Sequence, residues 1–403
     1  MNQTLRFLTF LVISYSLIIP KAAFSQDISK INGATISEQR ITEKLQFLQK
    51  EANVHGLSVM VLGPEEVLYE GAFGMSNMNE GTPLANTQTF YAASLSKPLF
   101  AYLVMRLVDE GKLDLDKPIV DYLDKPIGEY PFKYDYEGYQ DIQSDERHKK
   151  ITARMCLSHT SGFPNWRYVG KMGINFGNPL EIEFEPGTRY SYSGEGIQLL
   201  QLAVEQITGQ GLEELVKEYV FEPFEMTGTS FLWQEKFEGN YVVGHHKKKK
   251  VLNRRKRDQE YAAGSMETTP EDYAKFIQAV LRGENLSKKA FEEMISPQIA
   301  ITSKKQFGKK ATVETDENKA IKLSYGLGWG IYQTPHGKAV FKEGHLEGWE
   351  HFTVFYPDQK TGILIMTNSS NGESIFKELL EVVMGDFWMP WYWENYIPYN
   401  AKR

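Results

Sequence analysis

Apolar and polar residues alternate over short runs at both ends of this chain and follow a helical period between them. Residues 57–62 and 67–73 read as β-strands joined through Gly63-Pro64-Glu65-Glu66, the pattern of a hairpin. Strand-like runs return at 325–332, 338–342, 352–356 and 362–366, each bounded by turn residues. From 94 to 110 the repeat lengthens to 3.6 residues. Leu95, Leu99, Leu103 and Leu107 then share one face, and Gly111 stands where a helix ends. The long middle section reads as mostly helical, with clear segments at 197–207 and 212–219, and a further helix at 374–384 closes the pattern. Early strands, a helical insert, late strands and a last helix predict an α+β sandwich. Its antiparallel sheet draws strands from both chain ends and is flanked by helices, with a mostly helical subdomain beside it.

The first 25 residues read as a secretory signal. Arg6 precedes an apolar stretch from Phe7 to Ile19, then come Pro20 and the small-residue pattern Ala23-Phe24-Ser25. The apolar stretch is shorter than the roughly 20 residues that span a bilayer, so no transmembrane segment is expected after cleavage. The expected location is periplasmic or secreted. The division expected is a signal over 1–25, a domain over 26–386 with its helical insert at roughly 94–240, and an aromatic tail over 387–403 that packs onto the domain. Cys156 is the only cysteine, which excludes an intrachain disulfide. No His-x-x-x-His spacing accompanies it, so no metal and no cofactor are expected. His245-His246 read as a solvated loop pair.

Ser94-Leu95-Ser96-Lys97 opens the first helix. A serine hydroxyl needs a neighbouring base to act as a nucleophile, and Lys97 lies one turn on along the same face. Ser-x-x-Lys alone is expected by chance about once or twice in a chain of this length. A second copy occurs at Ser374 and Lys377, within the closing helix, where it reads as a helix start.

Six ordered segments set Ser94 apart. They are Ser94-x-x-Lys97; Leu157-Ser158-His159-Thr160-Ser161-Gly162-Phe163-Pro164; Pro186-Gly187-Thr188-x-Tyr190-Ser191-Tyr192-Ser193; Ala262-Ala263-Gly264-Ser265-Met266; Tyr325-Gly326-Leu327-Gly328-Trp329; and Gly344-His345. Together they resemble the penicillin-recognising serine hydrolases of the class C β-lactamase type, which include DD-peptidases and esterases. The likeness runs over nearly the whole chain after the signal. It implies a β-lactamase/transpeptidase-like fold with Ser94 as the acylated nucleophile, Lys97 as its proton partner and Tyr192 as the phenol that shuttles protons. It also implies an oxyanion hole formed by the backbone N–H groups of Ser94 and Gly348. Lys97 and Tyr192 would titrate as a coupled pair, which leaves the identity of the base open.

Two motifs depart from the family pattern. Gly194 stands where a Tyr-x-Asn motif carries its amide, and the third motif is read as His345-Leu346-Glu347-Gly348. His345, Glu347 and Trp166 are expected to line the substrate cleft. These departures favour an esterase or peptidase over an efficient β-lactamase. The competing reading is a weak or inactive relative with a binding or regulatory role in the cell envelope. Residues 247–257 carry eight cations in a chain of net charge −7 and are expected in a solvated loop at the cleft rim, where they could hold an anionic envelope surface. An exported, otherwise acidic protein is not expected to bind nucleic acid.

Overall fold

The computed structural model describes residues 27–132, 137–170, 173–248 and 250–401, so the signal-like segment and Lys249 lie outside it. Nine strands form one antiparallel sheet. In chain order they are β1 (Gly56–Leu62), β2 (Val67–Asn77), β3 (Thr82–Pro83), β4 (Ile299–Ala300), β5 (Ser324–Tyr325), β6 (Gly330–Thr334), β7 (Gly337–Leu346), β8 (Trp349–Tyr356) and β9 (Thr361–Thr367). Their order across the sheet is β4-β5-β6-β7-β8-β9-β1-β2-β3, so the first hairpin pairs with the last long strand through Leu62 and Gly362. The α+β sheet drawn from both chain ends is therefore present.

Strand side chains alternate between two cores. Leu57, Val59, Val61, Ile363 and Ile365 face one core with α1 (Glu38–Glu51), while Met60, Leu62, Leu364 and Met366 face the other with α2 (Ser96–Asp109). On the α2 side also lie α3 (Gly194–Thr208) and α4 (Pro270–Arg282), and on the α1 side lies α5 (Phe376–Val383). Local chemistry sets the helix ends. Ser193 caps α3 by accepting from the Gly196 N–H, Thr269 caps α4 by accepting from the Asp272 N–H, and left-handed Gly209 and Gly283 end these helices.

Between α2 and α3 the chain runs mainly through short 3₁₀ turns, with a brief helix at Ala153–Leu157. The aromatic tail packs onto the α1 side of the sheet. Trp391, Trp393 and Tyr396 are buried there, and the Trp393 carbonyl accepts from the Gln306 N–H at 2.8 Å.

Two loop expectations change. His245 is buried: its ring stacks on His55 at 4.7 Å and its Nε2 accepts from the Met78 N–H at 3.1 Å. The run at 247–257 is only partly solvated. Arg254 is sandwiched between Trp233 at 5.3 Å and Trp349 at 5.0 Å, and Arg257 sits 3.8 Å over the Tyr91 ring. Both guanidinium groups pair with Glu267, which is fully buried. Planar guanidinium groups stack on aromatic faces and fork onto a carboxylate, so cations in a dense run can still be taken inside. Glu267→Gln removes the carboxylate shared by two inward arginines, and the expected cost is about 3–5 kcal/mol in chemical denaturation. A loss below about 1 kcal/mol would mean the arginines keep their hydration.

Candidate active site

Ser94 lies in a single 3₁₀ turn, Ala93–Leu95, that leads directly into α2. Ala93 holds a φ of 48°, a left-handed conformation that costs an L-residue about 1 kcal/mol or more. The strained residue immediately precedes the candidate nucleophile. The turn is pinned by Ser96, whose hydroxyl donates to the Ala93 carbonyl at 2.6 Å and accepts from the Met266 N–H at 3.2 Å.

Lys97 is buried one turn further in. Its Nζ donates to Ser94 Oγ at 3.0 Å and to the Ala263 carbonyl at 2.6 Å. That carbonyl belongs to a loop fixed by α3, because Gln201 accepts from the Ala262 N–H at 2.8 Å and Gln198 from the Ala263 N–H at 3.1 Å. Burial pushes the Lys97 ammonium well below its ordinary pKa, and the nearby Lys342 adds to the effect while Glu343 opposes it.

Tyr192 completes the group. Its ring lies 4.9 Å from Lys97 Nζ and 4.8 Å from Lys342 Nζ, and the His159 ring is 4.2 Å away. Its hydroxyl is buried and lies against the Ser94 side chain. Burial raises the phenol well above its ordinary pKa and Glu343 adds to this, while the adjacent Ser94 side chain acts in the opposite sense. His159 accepts from the Ser193 N–H at 3.1 Å and is held neutral chiefly by burial.

The third segment is organised differently from the expectation. Strand β7 does not stop at Lys342 but continues to Leu346, and Glu347-Gly348 form the two-residue turn into β8. The period of two then puts Lys342 and Gly344 on the face toward α2 and His345 on the other. Lys342 is fully buried beside Tyr192, and its Nζ donates to Glu343 Oε1 at 2.7 Å. A Cβ at Gly344 would fall 2.8 Å from the Ala92 carbonyl, so only glycine lets the strand pass this close to the Ser94 turn.

His345 is displaced from its expected place in the cleft. Its side chain is 70% exposed and its Nδ1 is 2.6 Å from Glu350 on β8, its direct cross-strand partner. Glu347 is 64% exposed at the turn and faces His246 at 3.6 Å. The Gly348 N–H donates to Ser370 Oγ at 2.7 Å, so it is already engaged and does not form an oxyanion hole with Ser94. The pairing supplies another donor. In β6–β7 the closing pair is Thr334 with Gly337, and alternation then carries the odd-numbered N–H groups of β7 toward the β6 edge. Beyond Phe341, the last residue opposite β6, that edge is open, and the His345 N–H points along it.

Trp166 stands beside the residues that follow Tyr192. A Cβ at Gly194 would lie 2.7 Å from the Trp166 ring and 2.8 Å from the Asn165 carbonyl, which explains why no asparagine occupies that position. The second Ser-x-x-Lys copy is occupied otherwise. The Ser374 hydroxyl donates to the Asn371 carbonyl at 2.6 Å and Lys377 pairs with Glu381. Sequence reasoning missed Lys342, Glu343 and Glu394. Lys342-Glu343-Gly344 directly precedes the segment chosen as the third motif, so a strand extended by three residues would have found the first two.

The chain is similar to known proteins over most of its length. The family model described as Beta-lactamase matches residues 38–383. Penicillin-binding protein 4* of Bacillus subtilis (strain 168) is 24% identical over 81% of this chain and 71% of its own length. Esterase EstB of Burkholderia gladioli is 28% identical over 49% of this chain and 52% of its own. The chain thus spans about half the length of that esterase. Among solved structures, the octameric penicillin-binding protein homologue from Pyrococcus abyssi aligns with a TM-score of 0.67 at 22% identity, covering 86% of this chain and 77% of that one, a likeness of fold.

Proposed function

The chain belongs to the Beta-lactamase family of serine hydrolases, and within that family we propose that it is an exported hydrolase acting through an acyl-enzyme on Ser94, with esters preferred over β-lactams. The observation that carries the reading is Lys97 Nζ at 3.0 Å from Ser94 Oγ, buried against the face of Tyr192.

Environments that push two pKa values apart separate the acid from the base. Lys97 is driven toward its neutral amine and Tyr192 toward its neutral phenol. In this reading the amine accepts the Ser94 proton as Oγ bonds to the substrate carbonyl carbon. The oxyanion is held by the N–H groups of Ser94 and His345. As the carbon–leaving-group bond breaks, Tyr192 gives its proton to the departing atom and recovers one from the Lys97 ammonium. Water then attacks the acyl-enzyme, gives a proton to the same pair, and releases the acid and the free serine.

The preference for esters follows from charge. Lys342 Nζ lies 4.8 Å from the Tyr192 ring and is already paired with Glu343 at 2.7 Å, which weakens its hold on the carboxylate that a β-lactam carries. Purified protein is expected to turn over short acyl esters at least about 100-fold faster in kcat/KM than a cephalosporin, roughly 2.7 kcal/mol of transition-state discrimination. Cephalosporin turnover equal to or above that of the esters would overturn the preference, and no turnover of any ester would favour the binding or regulatory role.

Export rests on the signal-like segment before Gln26. Among the described residues no helix is long and apolar enough to cross a membrane. Contact with an anionic envelope surface would fall to Lys247, Lys248, Lys250 and Arg255, which remain exposed. Binding to anionic vesicles should weaken with salt and on changing these residues to Gln; unchanged binding would remove that part of the proposal.

A further inference from the structure

Behind Ser94 the structure leaves an unusual number of buried polar atoms without partners. Tyr325 Oη, His159 Nε2 and Glu394 Oε1 make no hydrogen bond, and Tyr190 Oη and Tyr192 Oη have only the side chains of Gln306 and Ser94 beside them in poor geometry. They belong to one cluster. The His159 ring lies 4.2 Å from Tyr192 and 4.7 Å from Tyr325, and Tyr190 is 5.3 Å from Tyr325 and 6.0 Å from Trp393, the neighbour of Glu394. An unmade hydrogen bond on a buried group costs about 1–3 kcal/mol, so a core has no reason to collect several unmet or poorly met groups in one place. A binding pocket does, because its ligand supplies the partners.

The chemistry of the walls selects the ligand. They hold three phenol oxygens, aromatic faces and the carboxyls of Glu343 and Glu394, which accept hydrogen bonds or attract a cation. Beside them lie the Lys97 and Lys342 amines, at 4.9 and 4.8 Å from the Tyr192 ring, and the His159 Nε2–H, a donor because Nδ1 accepts from the Ser193 N–H. Glu343 is tied to Lys342 at 2.7 Å and to Gln306 Nε2 at 3.1 Å, which offsets the Lys342 charge, while burial and then the Glu343 carboxylate push the Glu394 carboxyl well above its ordinary pKa, a cost that an entering cation would relieve. Glu394 comes from the aromatic tail, and the tail is fixed by the Gln306 N–H to the Trp393 carbonyl and by Trp393 Nε1 to Ser303 Oγ at 3.1 Å. Lys309 and Lys310 are exposed and line an open surface groove together with Phe307.

We propose that Glu394, with Glu343 and the Tyr190-Tyr192-Tyr325 phenols, selects substrates carrying an ammonium group, so that the preferred substrate is an amine-bearing ester or amide. The inference rests on Ser94 being the nucleophile. An ammonium has three donors and a full charge. It satisfies the Glu394 oxygen and phenol oxygens at once, whereas a carboxylate would bring a third acceptor charge among acceptors.

The test uses two series of 4-nitrophenyl and alkyl esters, one varying the end of the acyl chain and the other the leaving group, each ending in ammonium, methyl or carboxylate. In one series the parent protein is expected to show kcat/KM for the ammonium ester at least about 10-fold above the methyl ester, with the carboxylate ester lowest. Glu394→Gln should collapse the ammonium-to-methyl ratio toward 1, chiefly through KM, and Glu394→Asp should restore part of it. Equal rates for ammonium and methyl esters in both series, or a ratio unchanged in Glu394→Gln, would overturn the inference and indicate that water fills the cluster. Labelling of the parent with a neutral phosphonate separates the two failures. Labelling at Ser94 without charge preference sinks this inference alone, while absence of labelling at Ser94 sinks both.

Discussion

Lys97→Ala is expected to lower kcat/KM for a short ester about 1,000-fold while leaving the protein folded. General-base catalysis contributes about 10² to 10⁴ in rate, and Lys97 Nζ lies 3.0 Å from Ser94 Oγ. The pH profile supplies a second readout. A base must be unprotonated to act, and burial holds the Lys97 pKa well below 10.5. Parent activity should therefore rise with pH along a limb whose midpoint lies well below 10.5, and that limb should vanish in Lys97→Ala. Addition of a small primary amine should restore part of the variant's activity. A loss under about 10-fold, or an unchanged acid limb, would remove Lys97 from the role of base.

Tyr192→Phe should have an effect that depends on the leaving group. The phenol, raised well above its ordinary pKa by burial, is a better proton donor here than acceptor. An alkoxide needs that proton and 4-nitrophenolate does not. The expected loss is about 100-fold to 1,000-fold for alkyl esters and about 10-fold or less for 4-nitrophenyl esters. Phenylalanine retains the ring that packs against His159 and Phe307, so a change in folding should be small. Equal losses for both esters would place Tyr192 in positioning rather than proton transfer.

Much of this architecture was legible because strand and helix periods are local properties. The 57–62 and 362–366 runs marked strands at both chain ends, and the leucines at 95, 99, 103 and 107 marked α2. Helices α1 and α4 were not assigned, although Ser37 and Thr269-Pro270 are ordinary helix starts. The candidate nucleophile Ser94, with Lys97 and Tyr192, was picked out by ordered motifs, and the structure brings the three side chains together. The third motif was misplaced by three residues because the strand was ended at Lys342, whereas it continues to Leu346 and Glu347-Gly348 is the turn. Once that turn is fixed, alternation turns Lys342 and Gly344 toward Ser94 and His345 away. Arg254 and Arg257 were misjudged for another reason: their carboxylate, Glu267, lies on a separate strand segment that no local pattern connects to a basic run. Glu394 likewise reaches the site only because Trp391, Trp393 and Tyr396 dock the tail.

The most direct test of the central claim is to treat the purified protein with a neutral serine-reactive phosphonate, digest it and map the added mass. One equivalent is expected on the peptide containing Ser94, with none on Ser94→Ala and a rate that falls sharply in Lys97→Ala. Labelling at Ser374, or ester turnover undiminished in Ser94→Ala, would contradict the account.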